Sequence, residues 1–145
     1  MAQFKKIVPS VSLLLSFTVG GLFIYAGVVK ALDPARFAQD VSNFRLLPWT
    51  AGTIVALYLP WLEILCGAAL IFRKLHIGAS FILTGLAFAF LVALSLAKIR
   101  GVDISCGCFG HTHPHSLTAS ILLDTGILAA LVFILTIELK KARQP

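Results

Sequence analysis

The sequence predicts an all-α membrane protein: a four-transmembrane-helix bundle with a short interfacial amphipathic helix in its first outer loop. Three observations predict it. First, 59% of the 145 residues are hydrophobic and 12% are charged, against about 25% charged in a soluble domain, and mean hydropathy is +0.96. So few charges cannot cover a water-facing surface. Second, apolar runs long enough to cross a hydrocarbon core recur at about residues 8–29, 49–72, 77–97 and 117–137. Third, basic residues stand in small groups at the ends of those runs: Lys5-Lys6, Arg73-Lys74, Lys98 with Arg100, and Lys140-Lys141 with Arg143. Membrane flanks carry charge in that way. The net charge of +6 therefore forms no stripe on a soluble face. That excludes a nucleic-acid partner and names the lipid bilayer instead. Residues 1–145 read as one transmembrane domain.

The first span is about Val8 to Val29. Lys5-Lys6 resemble the basic start of a signal peptide. The apolar run is too long for a signal core, and no small-x-small cleavage site follows it before Lys30, so the span is expected to stay uncleaved. Gly20 and Gly27, seven residues apart, share a face that Ala26 continues, and small residues there suit close approach of another helix. Pro34 cannot continue the helix, and Asp33 can cap the next one. From Ala35 to Leu47, Phe37, Val41, Phe44 and Leu47 recur at spacings of three and four between Arg36, Gln39, Asp40 and Arg45. That pattern predicts an amphipathic helix on the membrane interface; a plain connecting loop is the alternative.

Trp49 opens the second span at a position suited to the interfacial aromatic belt. Pro60, in mid-span, should kink it by freeing the carbonyl four residues earlier. Glu63 lies one turn further on, with Cys66, Gly67 and Leu70 on its face. An ionisable group so deep costs at least about 2.5 kcal/mol and faces the bundle interior. Glu63 is either a structural hydrogen-bonder, in its protonated form, or part of a proton or ligand site. The third span carries Gly78, Gly85, Ala89 and Ala93, small residues expected to pack closely. The fourth carries Asp124, roughly 10 Å below its start at 1.5 Å per residue. Asp124 is a second candidate for a proton relay or a packing carboxyl. A quinone near it is a candidate cofactor that no motif supports. Cys66 is roughly 25 Å from the outer surface by the same rise, too far to pair with the other cysteines, and reads as a small buried hydrophobe.

Four spans place both termini on one side. The termini and the middle turn hold Lys5, Lys6, Arg73, Lys74, Lys140, Lys141 and Arg143. The other two loops hold Lys30, Arg36, Arg45, Lys98 and Arg100. The basic excess points to cytoplasmic termini, with the loop between spans three and four outside, where disulfides persist.

That loop is the polar interval the chain is arranged around: Asp103-Ile-Ser-Cys-Gly-Cys-Phe-Gly-His-Thr-His-Pro-His115. Two chemistries fit it. In the first, Cys106 and Cys108 exchange disulfides as a thiol–disulfide oxidoreductase would. A bridge between residues i and i+2 closes a small strained ring that is easily reduced, and Gly107 has the backbone freedom to allow it. Lys98, Arg100 and the histidines favour thiolate. Phe109 and Gly110 supply an apolar ledge and a turn for a docking partner, as does the 35–47 segment. In the second, Cys106, Cys108, His111, His113 and His115 bind a metal; thiolate with imidazole suits zinc or Cu(I), although the spacing matches no standard zinc-finger pattern. A structural disulfide or inert loop is the third option.

The segment Gly20-Gly-Leu-Phe-Ile-Tyr-Ala-Gly-Val-Val-Lys-Ala-Leu-Asp-Pro34, with Leu47-Pro48, Leu59-Pro60 and Glu63…Gly67, resembles the signature of DoxX-like membrane proteins. With Cys106-Gly-Cys-Phe-Gly110 added, the chain resembles their MauE branch, the methylamine utilisation membrane proteins, over about Gly20 to Ile137. The resemblance implies a four-helix inner-membrane protein tied to periplasmic disulfide chemistry. It implies a thioredoxin-like partner of the MauD kind and a role in maturing the disulfide-rich small subunit of methylamine dehydrogenase. The chain departs from quinone-linked disulfide generators that relay electrons through two cysteine pairs: it has one pair and an isolated Cys66, so no two-pair relay runs within it.

Overall fold

The computed structural model describes the backbone of residues 2–73, 75–101 and 117–142, and the side chains of 11–73, 75–101 and 118–140. Among the described residues there are five helices and no strand: α1 (Ala2–Leu32), α2 (Pro34–Asn43), α3 (Trp49–Ile71), α4 (His76–Ile99) and α5 (Leu117–Ala142). Four contain stretches long and apolar enough to cross a membrane, at Val11–Leu32, Trp49–Ile71, His76–Ile99 and Thr118–Lys140. The chain is thus an all-α, multi-pass membrane bundle. Only helices satisfy every backbone group within one segment, which is what a hydrocarbon solvent demands. The helices outrun the apolar runs at several ends, because helical backbone continues through the basic flanks.

The spans are arranged as two hairpins. α1 packs mainly on α3, α5 mainly on α4, and α3 joins the pairs through α4. The α1–α3 seam is close because glycines line it. A Cβ on Gly20 would lie 2.8 Å from the carbonyl oxygen of Gly67, one on Gly67 would lie 2.8 Å from that of Gly20, and one on Gly27 would lie 2.7 Å from that of Pro60. The expected small-residue face of α1 is therefore a true contact face. Pro60 lies inside α3, which continues through it.

The expectation fails on α4. Added Cβ atoms at Gly78 and Gly85 would meet nothing within 4 Å, and Ala89 is exposed. The buried face runs instead through Ala79, Leu83, Ala87, Leu94 and Ala97. That face combines its own alanines with leucines that fill the core, so close packing and apolar burial coincide there. Leu83, Leu131 and Ile134 join Val19, Phe23 and Leu70 in the main core.

The amphipathic helix is present but shorter than the 35–47 pattern implied. Asp33 caps it, its Oδ1 accepting from the Arg36 N–H at 3.0 Å, and Pro34 opens it. It ends at Asn43 because Arg45 sits at φ 50°, a left-handed conformation that breaks a helix. Phe37 and Ala38 turn inward against Ala56 of α3, so α2 caps the bundle with its apolar face.

The opposite end of the bundle is tied by Glu138. Its carboxylate accepts from Arg73 at 2.9 Å, lies 3.1 Å from Nε2 of His76, and accepts from the Ser12 hydroxyl at 3.5 Å. One side chain thereby joins α1, the α3–α4 turn and α5.

Candidate functional site

Cys106, Cys108, Phe109, Gly110, His111, His113 and His115 lie outside the described residues. The base on which they stand is described. α4 ends with the Arg100 N–H donating to the Leu96 carbonyl at 3.0 Å and the Gly101 N–H to that of Lys98 at 3.2 Å. Gly101, at φ 66°, adopts the left-handed turn that terminates a helix. The Lys98 ammonium donates to Thr118 Oγ1 at 3.4 Å, which brings the start of α5 beside the end of α4. Arg100 donates to the Phe44 carbonyl at 3.4 Å. The connector after α2 and both ends of the cysteine loop thus share one end of the bundle. The two basic residues expected to favour thiolate are engaged in these contacts.

Within the bundle at the same end lies a group the sequence only half revealed. Lys30 Nζ sits 2.7 Å from Oε1 and 2.9 Å from Oε2 of Glu63, with the two side chains 3% and 1% exposed. The ammonium also lies 4.6 Å from the Phe90 ring centroid and 5.3 Å from that of Phe37. Two charge-assisted hydrogen bonds and two aromatic faces replace the water that a buried ammonium would lose. Glu63 is therefore an ion-pair partner and Lys30 is no solvated flank charge. The signal was in the seam: Gly27 packs against Pro60 and Glu63, and Lys30 follows one turn later on that face. Helical side chains slant toward the N-terminus, so a long lysine there reaches back to Glu63.

Asp124 comes to the same place. It lines one cavity with Lys30, Glu63, Ser120 and Phe90, and its Oδ2 is buried with no hydrogen-bond partner among the described residues. The two carboxyls singled out in the sequence thus converge, although they lie on different spans. Cys66 is buried as a free thiol in the apolar core. Among the described residues no group of three or more His, Cys, Asp or Glu side chains could hold a metal ion, and the candidate metal ligands of the loop fall outside them.

Fold and site together define a class: a small four-span membrane protein with an ion pair locked between its first two spans. The family model for methylamine utilisation protein MauE matches residues 8–137, and the chain belongs to that family. The chain is 32% identical to methylamine utilization protein MauE of Paracoccus denitrificans over 143 residues, 98% of this chain and 76% of that protein. It is 31% identical to the protein of the same name from Methylophilus methylotrophus over 102 residues, 69% of this chain and 53% of that one. The MauE protein of Paracoccus versutus is 29% identical over 114 residues, 78% of this chain and 61% of that one. The matches thus span about half to three-quarters of the relatives' own lengths. No solved structure matches the chain significantly.

Proposed function

We propose that this protein is an accessory membrane protein of methylamine utilisation that works by thiol–disulfide exchange. Cys106 and Cys108 form the exchanging pair, displayed on the periplasmic side of an inner membrane, with both termini cytoplasmic. A thioredoxin-like protein of the MauD kind is the partner. The final beneficiary is a disulfide-containing periplasmic protein such as the methylamine dehydrogenase small subunit. The observation that carries the reading is the Cys106-Gly-Cys108 pair in a connector whose two ends are held together by Lys98 and Thr118. The names of the relatives support the pathway.

The chemistry is an exchange of two electrons. A thiolate of one pair attacks the disulfide of the other, that S–S bond breaks, and its second sulfur leaves as thiolate. The resolving thiolate then attacks the mixed disulfide and completes the transfer. Phe109 and Gly110 serve docking. Phe37 is excluded from docking, since it is buried against α3. Asp124 and Glu63 are the candidate relay carboxyls, the second with Lys30 on both of its oxygens.

The test separates redox exchange from copper or zinc handling. Cells carrying Cys106→Ser or Cys108→Ser are expected to lose oxidised methylamine dehydrogenase small subunit at least tenfold, and a His111→Ala/His113→Ala/His115→Ala variant to retain it. Loss in the histidine variant, restored by added copper or zinc, overturns redox exchange in favour of metal handling. Retention in both serine variants leaves the loop a structural role.

A further inference from the structure

A second cavity lies where α2 and the connector after it meet α3 and α4. Its volume is about 410 Å³, within the ordinary range of small-molecule sites. Phe44, Leu46 and Leu47 line it from the end of α2 and the connector, Leu59 from α3, and Ala89 and Ala93 from α4. Among the described residues Asp40 is the one polar member of the lining, and a space so apolar does not hold water. Leu46, Leu47 and Ala89 are exposed, so the cavity opens on the outside of the bundle. Ala89 and Ala93 belong to a membrane-spanning stretch of α4, so that outside is lipid. Ala89 lies roughly 16 Å along α4 from Arg100 at 1.5 Å per residue. One leaflet of a bilayer has a hydrocarbon depth of about 15 Å, half the core.

We propose that this cavity holds an acyl chain of an anionic phospholipid whose phosphate rests on Arg45 and Arg100. The inference goes beyond the cysteine chemistry and stands without it.

Two features select that occupant. The first is the match of the walls to a hydrocarbon chain: they are apolar, they open to lipid, and they reach about as deep as one leaflet. A polar solute would lose its hydration there and find no partners. The second is the charge at the head of the cavity. Arg45 stands between Phe44 and Leu46, both in the walls, and is exposed. Its left-handed backbone, at φ 50°, ends α2 and sets Leu46 and Leu47 into the same walls. Arg100, also exposed, reaches the Phe44 carbonyl at 3.4 Å. A guanidinium carries five N–H donors in a fork that fits phosphate oxygens, so one such contact leaves Arg100 donors for a headgroup. Asp40 opposes this with one carboxylate against two guanidiniums, and the head of the cavity stays positive. A zwitterionic lipid brings the same chain and phosphate but adds a cation of its own, which that charge disfavours.

The test is native mass spectrometry of the full chain, released from dodecyl maltoside micelles after equilibration with equimolar phosphatidylglycerol and phosphatidylcholine of identical acyl chains. The wild type is expected to retain one phosphatidylglycerol, preferred roughly tenfold over phosphatidylcholine, as two arginines near a membrane surface allow. Arg45→Gln/Arg100→Gln brings the preference near unity. Lys140→Gln/Lys141→Gln, which removes as much charge from the opposite end of the bundle, leaves the preference in place. Ala89→Phe, which sets a ring in the cavity and touches no charge, lowers retention of both lipids at least tenfold and covers the case in which the arginine variant does not fold. Glycerophosphoglycerol, the headgroup without its chains, does not compete. The proposal is overturned by equal retention of the two lipids in the wild type, by an unchanged preference in the arginine variant, by an equal loss in the lysine variant, by full retention in Ala89→Phe, or by competition from glycerophosphoglycerol.

Discussion

Lys30 and Glu63 show what a membrane interior does to charge. Neither residue tolerates hydrocarbon alone, yet together they form a neutral unit with two short hydrogen bonds. Removing one partner strands the other, which costs about 3–5 kcal/mol for a buried pair. Lys30→Met and Glu63→Leu are each expected to lower the melting temperature of detergent-purified protein sharply. The double variant, with two apolar side chains in place of the pair, should recover most of the loss. Single variants that melt with the wild type would refute a structural role for the pair. Glu63 was legible in the sequence as a charge deep in an apolar run. Lys30 was not, because it stands at the end of its run, where basic residues ordinarily face headgroups. Its burial follows from side-chain direction and from the α1–α3 seam, and both depend on a helix pairing that a single sequence does not display. Cys66 was legible as an inert thiol for the opposite reason: distance along its own helix sufficed. Cys66→Ala is expected to cost about 1 kcal/mol or less and to leave the proposed exchange intact in a thiol-trapping assay.

Among the elements, glycine content alone did not tell which helix faces pack. Gly20, Gly27 and Gly67 lie where a Cβ would strike a carbonyl oxygen or a neighbouring side chain, whereas Gly78 and Gly85 look into open space. Alanine at Gly20, Gly27 or Gly67 should therefore push α1 from α3 and destabilise by about 1–3 kcal/mol. Alanine at Gly78 or Gly85 should be neutral or slightly stabilising through helix propensity. A melting-temperature series over the five variants checks the contrast, and equal effects in both groups would contradict the packing. The sequence revealed α2 through its apolar spacing and Asp33-Pro34 start. It hid the early end, since nothing in the residue type of Arg45 announces a left-handed backbone. Phe44 and Leu47 continue the apolar spacing past the last helical residue, so periodicity overstated the helix.

At the scale of the whole molecule, two electrostatic ties hold opposite ends of one bundle. Glu138 gathers α1, the α3–α4 turn and α5 at one end. Lys30–Glu63, with the Lys98–Thr118 and Arg100–Phe44 contacts, organises the end from which the cysteine loop leaves. The number of spans and their approximate limits were legible because a span is set by length and apolarity alone. The cavity was not, because Lys30, Glu63, Ser120 and Asp124 come from three separate helices. This arrangement gives the proposed redox pair a fixed pedestal, and the account's central claim is that the pair exchanges disulfides. The measurement that tests it most directly is thiol trapping in cells: acid quench, alkylation of free thiols with a heavy maleimide, and non-reducing electrophoresis of wild type, Cys106→Ser and Cys108→Ser. The account predicts an oxidised pair in the wild type and, in one of the single variants, a mixed disulfide with a thioredoxin-like periplasmic protein. Two cysteines that stay reduced, form no mixed disulfide and become protected from alkylation only when copper or zinc is supplied would contradict it.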